Sequence, residues 1–284
     1  MAHDEKVLVP PIKTQGIKTK LVPFIRENVE LSPSEVWVEP FMGSRAVGFN
    51  MAPAKARFSD NNPHIIRFYR SIQDGTVNHV SVREFLEREG ATLSSRGAEH
   101  YYEIRDRFNE EGDPFDFLFL NRACFNGLMR FNKAGGFNVP FCRNEKRFSS
   151  AYIDKICDQV EDVAAAMEGR DWEFGVLEFD EAIRRAPAGS FVYCDPPYIG
   201  RDTNYYRGWD DGSEKTLNRL LGAHEGRWAV STWAGDESRQ NEYIDTIWGG
   251  CRVVTREYFY HVGSRAEYRH PVTEALLVNY EAVC

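Results

Sequence analysis

The sequence has no uninterrupted apolar run of about 18 residues or more, the length that a membrane-spanning helix requires. Its first residues lack the basic segment and apolar run of a secretory signal, so no export is expected. Cysteines are scattered without a Cys-x-x-Cys pair, which disfavours a zinc site or disulfide framework and predicts a reduced, cytoplasmic setting. The six cysteines are Cys124, Cys142, Cys157, Cys194, Cys251 and Cys284.

Internal repeats, low-complexity segments, and clusters of carboxylates and histidines at ligand spacing are absent too. The last absence predicts no metal site and argues against a metal-dependent nuclease. What the chain does contain is an apolar fraction of 42%, which is enough for a sizeable core. Its 284 residues suit one large α/β domain, or one such domain that carries a smaller insertion.

Charge is distributed unevenly along the chain. The net charge of −8 would disfavour a nucleic-acid partner if it were spread evenly over the surface. Residues 121–147, however, hold six basic residues and one acidic residue, a local net charge of +5. Such local basicity is what a DNA-facing surface needs, although a solvated basic face without any partner explains the charge alone equally well.

Short β-rich segments alternate with segments of helical periodicity along most of the chain. This alternation predicts a doubly wound α/β sheet, in which the largely helical region near residues 75–150 is an insertion. The predicted strands lie at residues 36–38, 56–59, 172–176, 190–194, 228–231, 252–254 and 275–280.

The strongest chemical feature is the tetrapeptide Asp195, Pro196, Pro197 and Tyr198, directly after the apolar strand at 190–194. Ligands of open α/β sheets bind at the carboxyl ends of strands. Two prolines fix φ and remove two backbone donors, so carbonyl groups face a ligand without competing N–H groups. A carboxylate and a carbonyl can then accept hydrogen bonds from one NH₂ group, beside a tyrosine ring on which a base can stack.

These groups suit the exocyclic amine of a nucleobase, whose lone pair is delocalised into the ring and is a poor nucleophile. Two acceptors on the amine hydrogens would localise the lone pair, and such assistance is most effective where it grows in the transition state. The alternative interpretation is a Pro-Pro turn whose aspartate caps a helix, and the position at a strand end disfavours it.

The tetrapeptide resembles the catalytic motif of amino-methyltransferases. Further segments resemble, in the same order, the Dam family of adenine-N6 DNA methyltransferases, also called the D12 class or α group. Residues 12–18 resemble its N-terminal motif, 39–43 its cofactor loop, and 59–69 its second-strand acid and the following helix. Residues 121–140, which begin Asn-Arg-Ala-Cys-Phe-Asn-Gly and end Phe-Asn-Val-Pro, are the most family-specific stretch.

The resemblance implies a mostly parallel, Rossmann-like methyltransferase sheet with a mainly helical target-recognition insertion. The catalytic domain that binds S-adenosylmethionine is expected at residues 1–70 and 171–284, and the DNA target-recognition region at 71–170. The implied reaction is site-specific methyl transfer from S-adenosylmethionine to N6 of a flipped-out adenine in duplex DNA. The implied setting is a prokaryotic or phage-encoded restriction–modification or Dam-like system, with any cognate endonuclease acting separately.

The resemblance also implies a set of cofactor contacts. Gly43 would allow a tight turn close to the cofactor, and Asp60 would accept hydrogen bonds from ribose hydroxyls. Lys18 would pair with the methionine carboxylate, Phe179 would pack against the adenine, and Glu178 would lie near its amine. A surface position for Lys18 and a core position for Phe179 are the alternatives. The expected cofactor-binding residues are Thr14, Gly16, Lys18, Glu39, Pro40, Phe41, Gly43, Asp60, Glu178, Phe179 and Asp195.

The chain departs from the family pattern at two places. An aromatic residue is usual where Thr14 stands and a glycine is frequent where Ile17 stands, so Thr14 is left with a backbone contact rather than ring stacking. Further glycines are frequent where Ser44 and Arg45 stand. Neither departure touches the tetrapeptide.

The expected catalytic residues are Asp195, Pro196, Pro197 and Tyr198. In-line transfer to the amine needs no covalent enzyme intermediate, so the neighbouring Cys194 is predicted to point into the sheet core. A stacked adenine cannot be reached, so the base must flip out, with Tyr198 as its stacking partner.

Contacts to DNA phosphates or base edges are expected from the basic stretch. Two of its asparagines, Asn126 and Asn138, are equally well explained as caps of turns. The polar stretch at residues 261–270 is also basic enough to touch DNA, and a mobile surface loop explains it equally well. The expected DNA-binding residues are Arg122, Asn126, Arg130, Asn132, Lys133 and Asn138.

Three other functions compete with this prediction. An RNA adenine-N6 methyltransferase would carry the same tetrapeptide, but residues 121–140 favour DNA. A cytosine-N4 enzyme is disfavoured because such enzymes often carry serine in place of Asp195. A catalytically silent DNA-binding regulator that kept the fold is disfavoured by the intact tetrapeptide.

Overall fold

The computed structural model describes residues 6–14, 16, 18–199, 209–259 and 271–281. The chain divides into two compact units, each assembled from separate segments. The first comprises Met1–Val22, Gly43–Ala52 and Asn62–Val176, and the second comprises Pro23–Met42, Pro53–Asn61 and Leu177–Cys284. The predicted functional boundaries, 1–70 with 171–284 and 71–170, stay a prediction, since a packing unit and a functional region need not coincide.

Seven strands are present in the described ranges, close to the positions predicted. All of them except β3 belong to the second unit, in the spatial order β2-β1-β4-β5-β7-β6. The strands are β1 (Val36–Glu39), β2 (Lys55–Asp60), β3 (Asp171–Val176), β4 (Phe191–Cys194), β5 (Trp228–Asp236), β6 (Arg252–Phe259) and β7 (Pro271–Val278).

Most neighbouring strands of the second unit run parallel. β1 pairs in parallel with β2 and with β4, and β4 pairs in parallel with β5. β7 is antiparallel both to β5 and to β6. The predicted mostly parallel α/β sheet is therefore confirmed. Its parallel part brings the carboxyl ends of β2, β1, β4 and β5 to one edge, where ligands of such sheets bind.

The core of the second unit surrounds β4. All four residues of β4 are fully buried, which is typical of a strand covered on both faces. Val38, Val192, Val230 and Leu277 from four strands share one hydrophobic cluster, and burial of each such side chain contributes about 1.5–3 kcal/mol. Cys194 lies in the same cluster, which confirms that its thiol points into the core.

Helices dominate the first unit, as predicted for the inserted region. Those from α2 to α7 belong to it, and α8 to α10 belong to the second unit. Among the described residues, no helix combines the length and apolar content that crossing a bilayer demands. The helices are α1 (Val22–Asn28), α2 (Ala46–Met51), α3 (Pro63–Gln73), α4 (His79–Arg96), α5 (Ala98–Glu111), α6 (Pro114–Ala123), α7 (Ser150–Met167), α8 (Phe179–Arg184), α9 (Asp211–Gly222) and α10 (Tyr243–Thr246).

Side-chain caps define where several of these helices begin. The side chain of Asn62 accepts a hydrogen bond from the backbone of α3, and Pro63 occupies the first turn. Asn78 forms a capping box at the start of α4, and Asp113 caps α6 ahead of Pro114. Each such cap contributes about 1 kcal/mol.

Buried titratable side chains from α4, α5 and α6 form a cluster with the exposed Arg107. Arg107 donates two hydrogen bonds to the carboxylate of Asp116, at 2.7 and 2.5 Å. His100 Nε2 lies 2.8 Å from Glu89 Oε2, and the Arg107 guanidinium lies 3.8 Å from the other oxygen of Glu89. Asp116 is 1% exposed, so its charge depends on this pairing rather than on water.

Candidate active site

Three carboxylates follow one another along the edge where the parallel strands end. Glu39 is the last residue of β1, Asp60 is the last residue of β2, and Asp195 comes directly after β4. β2, β1 and β4 are neighbours in the sheet, so the topology places these three predicted site residues side by side. The sequence predicted each of them at a strand end, and the structure adds the order in which they lie.

Glu39 is held from its own strand. Its carboxylate is 2% exposed and accepts a hydrogen bond from Trp37 Nε1 at 2.8 Å. The Trp37 ring is itself stacked on Phe191 and on Tyr193, with centroid distances of 5.3 and 5.4 Å. This packing fixes where the Glu39 carboxylate lies, close to Cys194 at the end of β4.

In the tetrapeptide the two prolines are buried, whereas Asp195 and Tyr198 are half-buried. The hydroxyl of Tyr198 donates to Glu274 Oε2 at 2.7 Å. Burial, followed by the negative charges of Glu274 and Asp195, raises the pKa of Tyr198 well above its usual value. The phenol therefore keeps its proton and acts as a hydrogen-bond donor.

Cys194, directly before the tetrapeptide, is fully buried. Burial, helped by the charges of Glu39 and Asp195, raises the pKa of its thiol well above the usual value. A thiol that is buried and protonated is a poor nucleophile, so the structure agrees with a reaction that forms no covalent bond to this residue.

Three aromatic rings pack together in the second unit, and the sequence predicted two of them as cofactor contacts. Phe41 is stacked on Phe179 at a centroid distance of 5.3 Å. Trp209 meets Phe41 at 5.5 Å and Phe179 at 5.2 Å, each at an edge-on angle. All three rings are half-buried, and they rest on the hydrophobic cluster of the sheet. We call Phe41, Phe179 and Trp209 the aromatic triad.

Trp209 was not predicted from the sequence, and a buried carboxylate holds it in place. Trp209 Nε1 donates to one oxygen of Glu214 at 2.6 Å, and Trp248 Nε1 donates to the other at 2.8 Å. Burial raises the pKa of Glu214 above its usual value, although both indole hydrogen bonds lower it. The sequence offers one local signal for the position of Trp209 in the triad: it stands directly before Asp210, which caps α9.

Backbone contacts bring other predicted residues to the end of β2. The amide of Leu177 donates to the carbonyl of Asp60 at 3.2 Å, and the Asn61 side chain donates to Glu178 at 3.4 Å. The amide of Met42 donates to the carbonyl of Ser59, which ties the buried Pro40 and the loop after β1 to the same strand. The predicted acid–Phe pair, Glu178 and Phe179, therefore starts next to Asp60.

The remaining predicted cofactor residues lie in the first unit. Lys18 Nζ donates to the carbonyl of Gly16 at 3.0 Å, and Thr14 is half-buried. Gly43 has a φ of 45°, a left-handed conformation that favours glycine, and no atom lies within 4 Å of where its Cβ would be. The open space beside Gly43 agrees with the predicted close approach of a ligand to this loop.

Two family motifs of the first unit contact each other. The backbone of Lys13 forms two hydrogen bonds with the side chain of Asn121, at 2.7 and 2.8 Å. Gly127 has a φ of 63°, and a Cβ there would lie 2.6 Å from the side chain of Lys13. Residues 12–18 are thus anchored on residues 121–127, a contact between segments more than 100 positions apart that the sequence alone did not predict.

Arg122 requires a correction. It was predicted to contact DNA, but it is 3% exposed and its guanidinium bonds inside the first unit. Its Nε donates to the carbonyl of Pro11 at 2.5 Å, and its other nitrogens reach Gln159 and Tyr152. A basic residue inside a basic stretch is therefore not always on the surface, and Arg122 stabilises the unit instead.

The other predicted DNA-binding residues lie on an irregular hairpin at residues 124–141. Isolated bridges join Cys124 to Phe141 and Phe131 to Phe137. Arg130 and the tip residue Lys133 are exposed. The hairpin therefore presents two of the predicted cations at the surface, where a polyanion can reach them.

The asparagines of the hairpin have structural roles as well. Asn132 accepts hydrogen bonds from the amides of Ala134 and Gly136, which caps the turn at the tip. Asn138 accepts from Arg130 Nε at 2.9 Å. Asn126 is exposed with a φ of 55°, a conformation that asparagine tolerates better than most residues. The alternative prediction for Asn138 was that it caps a turn. Its side chain instead accepts the hydrogen bond from Arg130.

Some predicted residues lie outside the described ranges. The polar stretch at 261–270 is among them, as are positions 15 and 17 of the N-terminal motif. Within the described ranges, His79, Asp158 and Glu161 form one group whose potential ligand atoms lie within 4.8 Å of one another. It sits on α4 and α7, where the His79–Glu161 pair at 3.2 Å explains it without an ion. The prediction of no metal stays a prediction.

A comparison with known families decides the assignment of the chain. The family described as "D12 class N6 adenine-specific DNA methyltransferase" matches residues 15–224, well over half of the sequence. The chain belongs to this family. The match includes the aromatic triad, the strand-end carboxylates and the tetrapeptide, and it confirms the resemblance on which the sequence prediction rested.

Relatives with names of their own agree with this membership. A DNA adenine methylase of Escherichia coli K12 is 33% identical over 192 residues, which cover 66% of this chain and 64% of that protein. A DNA adenine methylase of Serratia marcescens is 31% identical over 66% of each chain. The type II methyltransferase M.MjaIII of Methanocaldococcus jannaschii is 31% identical over 66% of this D12 chain and 68% of its own length. The match thus spans about two thirds of each relative.

Proposed function

We propose that this D12-class protein transfers a methyl group from S-adenosylmethionine to N6 of an adenine in duplex DNA. The observation that carries the proposal is the tetrapeptide Asp195–Tyr198 at the carboxyl end of a buried central strand, in a chain that belongs to an adenine-specific family. A catalytically silent regulator would have no need of a carboxylate and a stacking ring at that position.

The residues of the second unit fit S-adenosylmethionine. Half-buried aromatic rings offer apolar faces for an adenine, and the neighbouring Asp60 and Glu178 offer acceptors for ribose hydroxyls and an exocyclic amine. Trp209 joins Phe41 and Phe179 in this role. Thr14, Gly16, Lys18, Glu39, Pro40 and Gly43 complete the proposed set, with Lys18 opposite the methionine carboxylate. When bound, this cofactor supplies an electrophilic methyl group on a sulfonium.

The tetrapeptide would act on the target amine. The carboxylate of Asp195 and the carbonyl of Pro196 accept hydrogen bonds from its two hydrogens, which localises the nitrogen lone pair. Pro197 keeps the backbone free of a competing N–H group, and the ring of Tyr198 stacks on the flipped base. The amine itself attacks, so Cys194 takes no part.

The hairpin at residues 124–141 would contact the DNA. Arg130 and Lys133 are its exposed cations, and Asn126, Asn132 and Asn138 shape the surface that carries them. Arg122 is left out because it is buried. One relative is named a type II methyltransferase, which supports a restriction–modification role in which a cognate endonuclease acts as a separate protein.

The test is methyl transfer from labelled S-adenosylmethionine to duplex DNA, compared with structured RNA and with the Asp195→Ala protein. We expect label in DNA as N6-methyladenine, little in RNA, and none with the variant. Sequencing of DNA from a methylation-free host that expresses the chain would then give the target site. Label in RNA alone, or cofactor binding without any transfer, would overturn the proposal.

A further inference from the structure

We infer that Glu274 and Trp233 are positioning residues that lock Tyr198 in place before the target base arrives. This inference rests on the proposed function and concerns the same site. The family match ends at residue 224, so neither residue lies in the segment that it covers. Both lie in the antiparallel part of the sheet, which the proposed chemistry does not otherwise use.

Glu274 and Trp233 are direct register partners across β5 and β7. Side chains of directly opposed residues point to the same face of a sheet, so these two project together. Trp233 Nε1 donates to the carbonyl of Ile199 at 2.9 Å, and Glu274 Oε2 accepts from the hydroxyl of Tyr198 at 2.7 Å. The pair thus holds two successive residues, Tyr198 through its side chain and Ile199, directly after the tetrapeptide, through its backbone.

Packing alone does not explain a carboxylate at position 274. Glu274 is 4% exposed and begins the buried half of β7, where the next four residues are apolar. A buried carboxylate is costly unless it accepts hydrogen bonds, and any apolar residue would extend the core more cheaply. The contact with the tyrosine hydroxyl gives the charge a function that packing would not require.

The consequence is a tyrosine ring fixed at both ends. The backbone after it is held by Trp233, which is 3% exposed, and the far end of the ring is held by Glu274. Tyr198 itself is half-buried rather than buried, and the proposed stacking uses the exposed part of its side chain. A stacking partner that is fixed in advance loses little freedom when the base binds, and small displacements of such groups can reduce a rate about 100-fold.

The experiment compares Glu274→Ala, Glu274→Gln and Trp233→Phe with wild type, using duplex DNA that carries the mapped target adenine or 2-aminopurine in its place. We expect Glu274→Ala to lower the single-turnover methylation rate 10- to 100-fold and to change the 2-aminopurine fluorescence of the complex. The Kd for S-adenosylmethionine should stay within twofold. Glu274→Gln keeps an oxygen acceptor and should restore most of the rate, and Trp233→Phe should lose less than Glu274→Ala.

The matched control is Glu257→Ala, which removes an exposed glutamate from the neighbouring strand β6. It should change neither the methylation rate nor the 2-aminopurine fluorescence. Thermal melts establish the folded fraction, to which each rate is normalised. If Glu274→Ala does not fold, a double-mutant cycle with Tyr198→Phe and Glu274→Leu, which removes the acceptor but keeps an apolar side chain of similar size, replaces it. If the rate losses of the two single variants do not add up in the double variant, this supports an action of Glu274 through the hydroxyl of Tyr198.

Two results would overturn the inference. One is an unchanged rate and fluorescence in folded Glu274→Ala, and the other is strict additivity of the losses in Tyr198→Phe and Glu274→Leu. Both require an active wild-type enzyme. A wild-type protein that transfers no methyl group would instead overturn the proposed function, so the two failures are distinguishable.

Discussion

The two units handle buried carboxylates in opposite ways. In the second unit each one is bonded to neutral aromatic donors: Glu39 to Trp37, Glu214 to Trp209, and Glu274 to Tyr198. In the first unit they are paired with arginines: Asp116 with Arg107, and Glu89 with Arg88. A neutral donor fixes a carboxylate through a hydrogen bond, whereas a cation also offsets its charge.

This difference suits the tasks proposed for the two units. A carboxylate fixed by a neutral donor can still accept hydrogens from a ligand, so it is useful at the edge where a cofactor and a base would bind. A neutralised carboxylate has little left to offer a ligand, but breaking its pair is costly. Substitutions of the carboxylates in the second unit should therefore change binding and rate, and substitutions in the ion pairs and the hairpin of the first unit should change stability or DNA affinity.

The largest effect is expected at Asp195. Asp195→Ala removes the acceptor proposed for the target amine and should lower kcat at least 100- to 1,000-fold, as the loss of a transition-state hydrogen bond does in other enzymes. Cys194→Ser should retain far more activity, because its thiol is buried and protonated. Single-turnover assays measure both, and equal losses in the two variants would contradict this division of roles.

The next largest effect concerns folding of the first unit. Arg107→Leu leaves Asp116 buried without its partner and should lower the free energy of unfolding by about 3 kcal/mol. Urea denaturation measures the change. Arg96→Leu is the matched control, because its partner Glu103 is exposed and the pair should contribute little. Similar losses of unfolding free energy in the two variants would show that the burial of Asp116 does not determine the size of the loss.

A moderate effect is expected at the aromatic triad. Trp209→Ala removes one ring from the proposed adenine site and should raise the Kd for S-adenosylmethionine about tenfold, since ring contacts contribute about 0.5–1.5 kcal/mol beyond their buried area. Trp209→Phe should recover most of the affinity. Calorimetric titration measures each Kd, with Trp248→Phe as the control because Trp248 shares Glu214 but lies outside the triad. A larger loss in the control would remove Trp209 from the site.

The smallest effect is expected at the hairpin tip. Lys133→Ala should weaken DNA binding a few-fold on every sequence and reduce the slope of log K against log salt by about 1, as the loss of one phosphate contact does. Arg122→Ala should instead lower the melting temperature, because the guanidinium is buried. Fluorescence anisotropy at several salt concentrations measures the slope. An unchanged slope for Lys133→Ala would place the DNA elsewhere.

Local sequence signals predicted the parts of the fold and site that depend on neighbouring residues. The strand at 190–194 followed by Asp195, and the acid Asp60 at the end of β2 with the helix that follows it, are of this kind. Cys194 was predicted correctly because a short, continuous apolar run before a strand-end motif leaves its side chains inside the sheet.

Partners far apart in the chain were not predictable. Tyr198 and Glu274 are 76 positions apart, and Arg122 and Pro11 are 111 apart. Counting charges in a window treats every arginine as a surface residue, which is why Arg122 was wrongly assigned to DNA. Glu274 gave only a faint signal, a single acid at the start of an apolar strand.

The reversed direction of β7 has a consequence for synthesis on the ribosome. β7 follows every other described strand in the chain, yet its running antiparallel to β5 brings its beginning to the edge where the parallel strands end. The nascent polypeptide therefore carries its tetrapeptide for some 75 residues of translation before Glu274 emerges to secure Tyr198. A protein cut short before that strand would hold every residue of the proposed chemistry and still lack the finished site.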